Sequence, residues 1–232
     1  MRADPALIHR LFSTIAPRYD CFNRLASMNL DQGWRRRAVA KSALGEGMDV
    51  LDVCTGTGDL ALLCAGRLQG QGRVIGLDFN DDMLRPALHK ARQLGVSVQW
   101  LRGDALALPF RSGTFDRAFI GFSTRNLSDL QAGIQEMHRV LKPQGRLVIL
   151  ETGRPSNRLI LAGYFFFLGT MARLIGLLLT GRLWPFTYLV RSVKGFLRPP
   201  EFVALMGRCG FQASYTPLSM GLAMLYLAEK PA

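Results

Sequence analysis

Asp52-Val53-Cys54-Thr55-Gly56-Thr57-Gly58-Asp59 follows an apolar run that begins at Val50 and leads into Leu60-Ala61-Leu62-Leu63. An apolar strand that ends in an acid, two glycines and a helix-forming stretch reads as the first half of a βαβ unit. The glycines let the backbone turn sharply, and the helix start offers free N–H groups. Working outward, VLDV (50–53), RVIGLD (73–78), VSVQWL (96–101), FDRAFI (115–120) and RLVILE (146–151) read as strands. Met83, Leu84, Ala87, Leu88, Ala91 and Leu94 recur at helical spacing after the capping candidates Asn80 and Asp81. Pro86 suits only a first helical turn, which leaves that helix start open. Ile134, Met137, Val140 and Leu141 repeat the pattern before a stop at KPQG (142–145). Strands alternating with helices of this length predict a Rossmann-like α/β fold, a mostly parallel sheet with helices on both faces. FQASYT (211–216) and LAMLYLAEK (222–230) read as an antiparallel pair closing the sheet.

The 232 residues suit one large domain, and 49% apolar with 20% charged residues predicts a folded chain. Twenty-nine basic residues against 17 acids give a net charge of +12, which points to anionic partners. Cys21, Cys54, Cys64 and Cys209 form no CxxC pair, and His9, His89 and His138 are scattered, so neither a metal site nor a disulfide framework is expected. Met1 to Arg10 lacks the apolar core of a signal peptide, which makes the cytoplasm the expected compartment. Leu159 to Ala172 is a fourteen-residue uncharged run, and a second run follows Arg173. Neither reaches the roughly 20 residues of a spanning helix, and merging them would set Arg173 near the bilayer centre. A buried helix and a hydrophobic substrate cover remain the two readings.

Ligands on such sheets bind beyond the carboxyl ends of the strands. Asp78 ends the second strand twenty positions after Gly58, the spacing at which a carboxylate reaches a ribose. Asp104-Ala105 follows the third strand, where it would meet an adenine edge. GTGDLA satisfies the G-x-G-x-x-A of dinucleotide sites, but Cys54 holds the place of the first glycine. Asp52 would also set a charge close to a diphosphate. A carboxylate there suits a cationic ligand, which favours S-adenosylmethionine, with its sulfonium, ribose and adenine, over NAD.

The chain resembles the class I methyltransferases, and within them the ubiquinone/menaquinone C-methyltransferase family. Tyr19-Asp20-Cys21-Phe22-Asn23 with Ser27 and Trp34, Arg139-Val140-Leu141-Lys142-Pro143-Gln144-Gly145 leading to Glu151, and Phe122 to Asp129 carry the likeness. Residues 192–211 add to it, and it covers about residues 11–230. Phe22, Ala26 and Asp31 stand where the family usually has Met, an aliphatic residue and His, and Gln144 replaces a glycine. Leu218-Ser219-Met220-Gly221, with Tyr226 later, departs from the family's end motif. The resemblance implies a single methyltransferase domain over 1–232. Its parts would be a helical cover (1–45), a cofactor-binding core (46–151), an apolar substrate cover with a helix (152–210), and closing strands (211–232).

The resemblance further implies C-methylation of a prenylated quinol, demethylmenaquinol or a benzoquinol, in respiratory quinone biosynthesis. Asp52, Gly56, Thr57, Gly58, Asp78, Asp104, Ala105 and Gly121 would bind S-adenosylmethionine. Arg125, Asn126 and Tyr19 would serve catalysis, Arg125 as an electrostatic stabiliser of a phenolate because it stays protonated. No metal is needed. Tyr164 to Leu168 and Leu177 to Leu179 would cover the prenyl tail. Arg35, Arg36, Arg37, Arg154, Arg158, Arg173, Arg182 and Arg191 would meet acidic headgroups at the inner face of the cytoplasmic membrane. A homodimer stays open. N- or O-methylation of another lipid is the alternative, and a nucleic-acid partner is not expected, because the aromatics concentrate in an apolar run rather than a basic stripe.

Overall fold

The computed structural model describes residues 4–232, so the first three residues of the stretch read for a signal peptide lie outside it. Three helices come first: α1 (Pro5–Ile15), α2 (Tyr19–Ala26) and α3 (Leu30–Lys41). Asp4 starts α1 by accepting from the Ala6 N–H at 3.0 Å, with Pro5 in the first turn where its missing donor costs nothing. The chain then alternates through β1 (Met48–Val53), α4 (Asp59–Leu68), β2 (Gly72–Asp78), α5 (Asp81–Leu94), β3 (Gln99–Arg102), β4 (Phe115–Gly121), α6 (Leu130–Val140) and β5 (Leu141–Thr152). Helices α7 (Arg158–Gly169), α8 (Met171–Thr180), α9 (Trp184–Gly195) and α10 (Pro199–Arg208) follow, before β6 (Gln212–Leu218) and β7 (Ala223–Glu229).

The seven strands lie in the order β3-β2-β1-β4-β5-β7-β6. The first five are parallel, and β7 runs antiparallel to both β5 and β6. This is the expected doubly wound sheet with its closing antiparallel pair. The chain reverses its direction of winding at β1 and β4, so the ends of these two strands open a crevice for ligand. Ile134, Met137 and Phe202 pack on one face of the sheet, and Ala61, Cys64 and Val39 on the other.

Three local expectations are revised. Leu141 opens β5 rather than ending α6, and KPQG bulges out of that strand. Phe115 pairs with Leu141 but Arg117 with Arg146, and Gln144 takes the left-handed φ of 61°. Pro86 sits in the second turn of α5, not its first. Met83, Ala87 and Ala91 are buried along that helix, and their packing outweighs the lost hydrogen bond. The strand expected at 96–101 begins only at Gln99.

Helices α7 and α8 with Thr170 between them span 23 residues, Arg158–Thr180, in which an 18-residue stretch has a mean hydropathy of 1.7, long and apolar enough to cross a membrane by length and composition. Thr170 breaks the helical path between them at φ −117°, ψ −76°. Leu168 and Ala172 pack with Leu11, Ile15, Phe22 and Phe186 into a third core above the strand ends. The Phe22 and Phe186 rings lie 4.5 Å apart, and a Cβ at Gly176 would overlap the Phe186 ring. The missing side chain at position 176 thus makes room for the Phe186 ring that packs on Phe22.

Candidate active site

Between the strand ends and the helical cover lie two cavities that meet. The first, of about 180 Å³, is lined by Gly56 and Thr57 after β1, Asp78 at the end of β2, Asp104 and Ala105 after β3, and Gly121 at the end of β4. The second, of about 380 Å³, lies under the cover, where α2, α3, α7 and α9 surround it with Phe22, Trp34, Tyr164, Phe167 and Phe186. Phe12, Tyr19, Arg35 and Asn126 border both. A ligand in one cavity can therefore touch a ligand in the other.

The glycine loop is held from below and from the side. Asp78 turns one oxygen to the Gly56 N–H at 2.8 Å and the other to the Asn80 N–H at 3.0 Å. Burial still pushes its carboxyl up to about 6, because the backbone donors offset only part of the lost hydration. Asp52 does not line the cavity. It lies behind the loop, 1% exposed, with Oδ2 accepting from the Thr55 hydroxyl at 2.5 Å and the Ala61 N–H at 3.1 Å. Its Oδ1 is buried without a partner, and burial pushes the carboxyl up to about 7. Gly58 also stands behind the wall. Its φ is +83°, and a Cβ there would meet the Trp100 indole at 2.6 Å and the Ala87 Cβ at 2.9 Å. That glycine serves the close approach of α5 and β3.

A network of ionic contacts ties the helical cover to this loop. The Thr57 hydroxyl donates to Asp20 at 2.6 Å, and Lys90 bridges Asp20 at 2.8 Å and Asp59 at 2.6 Å. Arg24 binds Asp59 at 2.7 Å and also Asp31. Arg35 Nε lies 3.5 Å from Asp59 and 3.6 Å from Asp31. Burial would raise the Asp59 carboxyl, but Arg35, Lys90 and Arg24 outweigh it and hold it well below the usual carboxylate range. Asp31, one of the departures from the family pattern, thus has two guanidinium partners. Arg35 is 6% exposed, so it cannot reach headgroups as expected; its cation is turned inward over the Phe122 ring at 5.2 Å. Arg173 is half-buried with its Nε enclosed, and it too is not free at the surface.

Beyond β4, Thr124–Asn126 forms a 3₁₀ turn under the second cavity. The Arg125 guanidinium donates to Glu151 and to the Phe122 carbonyl. Glu151 is fully buried at the end of β5 and also accepts from the Thr124 hydroxyl at 2.5 Å and the Thr152 N–H at 2.7 Å. Arg125 Nε is buried without a partner. Asn126 accepts from the Tyr188 hydroxyl of α9 at 3.2 Å. Burial raises the Tyr19 hydroxyl, while Arg35 and Arg125 act against it. Burial also raises Tyr188, with Arg125 opposing.

The ubiE/COQ5 methyltransferase family model matches residues 1–230. The chain belongs to the ubiE/COQ5 methyltransferase family. The demethylmenaquinone methyltransferase of Thermus thermophilus is 40% identical over 95% of this chain and all of its own length. The ubiquinone/menaquinone biosynthesis C-methyltransferase UbiE of Geobacter sulfurreducens is 40% identical over 96% of this chain and 88% of its own. Among solved structures, a SAM-dependent methyltransferase of Thermotoga maritima, titled a possible histamine N-methyltransferase, covers 96% of this chain and 99% of its own at TM-score 0.66 and 20% identity. A SAM-dependent methyltransferase of Aquifex aeolicus gives TM-score 0.63 at 20% identity, over 84% of this chain and 88% of its own. These two share the fold.

As a ubiE/COQ5 family member the chain is a methyltransferase that uses S-adenosylmethionine. The first cavity fits that cofactor. The free Asp52 oxygen, on a carboxyl that burial holds up to about 7, stands behind the loop where a cation would favour its ionised form, and Asp78 keeps acceptor capacity for hydroxyls. The sequence reading missed Asp59, Lys90, Arg24 and Tyr188, and named Glu151 only as the end of a motif. Their signal was spacing from the glycine loop and from the 122–129 turn, which a linear reading does not connect.

Proposed function

We propose that the protein transfers the methyl group of S-adenosylmethionine to a ring carbon of a prenylated quinol, in the making of a respiratory quinone. The observation that carries this reading is the junction itself, where the polar cavity and the aromatic cavity share Tyr19, Arg35 and Asn126. The names of the curated relatives support the acceptor class.

In this reading Gly56, Thr57 and Asp78 hold the cofactor's methionine and ribose, Asp104 and Ala105 its adenine, and Gly121 the wall beside the methyl. Asp52 acts from behind the loop through its charge, and Gly58 through packing. When bound, the cofactor supplies an electrophilic methyl group, whose transfer to carbon leaves a neutral thioether and releases the ring hydrogen as a proton. The chain's task is to align the acceptor and to favour its ionised form, which is the electron-rich one. Arg125, fixed by Glu151, stabilises charge on the acceptor oxygen, and Asn126, oriented by Tyr188, directs the ring. Tyr19 completes the polar edge between the cavities.

The outer side of the cover supports contact with an anionic membrane. Tyr164, Phe167 and Leu168 line the cavity, while Leu159, Phe166 and Leu178 of the same two helices are 84%, 69% and 77% exposed. Arg158 and Arg182 stand exposed at the two ends of this pair, and Arg191 on α9. A face of this kind takes acyl chains against its leucines and headgroup charge against its arginines.

The test is an acceptor comparison with labelled cofactor, offering reduced demethylmenaquinone, a 2-polyprenyl benzoquinol and phosphatidylethanolamine in parallel. Label in a quinol is expected. Label in the lipid amine instead would overturn the acceptor and keep only the cofactor.

A further inference from the structure

Arg35 lines both cavities, yet the reaction as derived above gives it no part. It enters from α3, and 7% of its side chain is exposed. Its Nε has no hydrogen-bond partner, although it lies 3.5–3.6 Å from the Asp59 and Asp31 carboxylates. Its Nη1 comes within 3.5 Å of where a Cβ on Gly121 would stand, at the end of β4 where the cavities meet. The two carboxylates balance its charge without taking a hydrogen bond from its Nε, so a guanidinium buried at that junction keeps a donor uncommitted. The Phe122 ring under it fixes its plane without consuming a donor.

A quinol carries two hydroxyls on opposite ring carbons, so a single arginine can serve only one of them. We propose that Arg35 is a second oxyanion-binding residue of the acceptor site, which lowers the ionisation pH of a phenolic ligand alongside Arg125. The inference rests on the quinol reading above. Arg125 and Arg35 approach the shared cavity from different elements, the turn after β4 and helix α3. Their counter-ions differ as well. Glu151 binds Arg125 directly, whereas Asp31 and Asp59 stand off from Arg35 and are shared with Arg24 and Lys90. The other titratable groups around the two cavities are Tyr19, Cys54, Asp78 and Asp104 on the cofactor side, Asp52 behind the loop, and Tyr164 and Tyr188 from the cover. Of these, Tyr19 borders both cavities, and both arginines act on it. Arg35 therefore holds the more available positive charge of the two. Asp31, at a place where the family usually has His, adds a counter-charge to this buried cation.

The probe is 1-naphthol, whose ionised form absorbs and emits at longer wavelength, bound to the full-length protein saturated with S-adenosylhomocysteine. Arg35→Met should raise the pH of half-ionisation of bound naphthol by about one unit, a tenfold loss in its ionisation constant. Asp31→Asn, which removes a counter-charge and leaves the cation, should shift it in the opposite direction. If Arg35→Met does not fold, the sign of the Asp31→Asn shift decides. Naphthol ionisation unchanged in Arg35→Met, or unchanged or raised in pH in Asp31→Asn, would overturn the inference and leave the quinol reading standing. Exclusive methylation of a lipid amine in the acceptor comparison would overturn both.

Discussion

Arg125 and Glu151 form an ion pair at the floor of the acceptor cavity, with 9% and 1% of their side chains exposed. The carboxylate belongs to the rigid end of a central strand and is saturated by the Thr124 hydroxyl, the Thr152 N–H and the guanidinium together. The arginine is thereby fixed in position while its Nε remains free. A preorganised charge of this kind acts on developing negative charge without having to reorient at the moment of reaction.

Glu151→Gln should accordingly be costly. It leaves the guanidinium buried without its counter-charge, and removing one partner of a buried pair costs about 3–5 kcal/mol. Chemical denaturation should show a loss in that range. A change under 1 kcal/mol would mean that the pair contributes little to the fold.

Arg125→Ala should retain cofactor affinity, because Arg125 does not line the cofactor cavity. Its turnover should fall by about 10²–10³, the usual effect of deleting one oxyanion donor. Calorimetry with S-adenosylhomocysteine and steady-state rates separate the two effects. A near-wild-type rate would reduce Arg125 to a structural role.

Cofactor binding should release a proton near neutral pH. Burial sets Asp52 at about 7 and Asp78 at about 6. Both folded-state values lie above those of the unfolded chain, so the native state holds extra protons between pH 4 and 7, and stability falls as pH rises through that window. A cationic ligand beside Asp52 favours its ionised form, so affinity should rise between about pH 5.5 and 7.5. Titration calorimetry in buffers of different ionisation enthalpy measures the proton directly. Asp52→Asn should flatten the dependence, and an unchanged slope in that variant would assign it elsewhere.

Gly58→Ala should destabilise by about 1–3 kcal/mol, the usual range for overpacking. Its methyl would meet the Trp100 indole and Ala87, in a left-handed conformation that disfavours side chains. Pairing it with Trp100→Phe should recover part of the loss, and thermal melts of the single and double variants check this.

Vesicle binding should require anionic lipid and weaken with salt, because Arg158, Arg182 and Arg191 are exposed charges. Equal binding to neutral vesicles would leave only the apolar residues Leu159, Phe166 and Leu178 to explain it.

Much of the fold was legible because the strands announce themselves as apolar runs with an acid at or just past their ends, Asp52, Asp78 and Asp104, and the loop glycines stand between the first strand and its helix. Residues that act across the chain were not legible. Arg35 within WRRR has the pattern of a solvated basic face, and only the packing of α3 against α4 turns it inward against Asp59. Lys90 and Asp20 lie seventy positions apart and meet only because α5 carries Lys90 under the cover. Pro86 and the KPQG bulge were misplaced for a related reason, since burial along α5 and β5 overrides local breakers. The apolar 159–180 stretch held two meanings at once, a cavity wall on one side and an exposed face on the other.

The most direct measurement is the carbon NMR spectrum of the product formed from demethylmenaquinol and cofactor labelled with ¹³C in its methyl group. The account predicts a single new aryl methyl signal, with the label bonded to ring carbon. A methoxy signal in its place would contradict it.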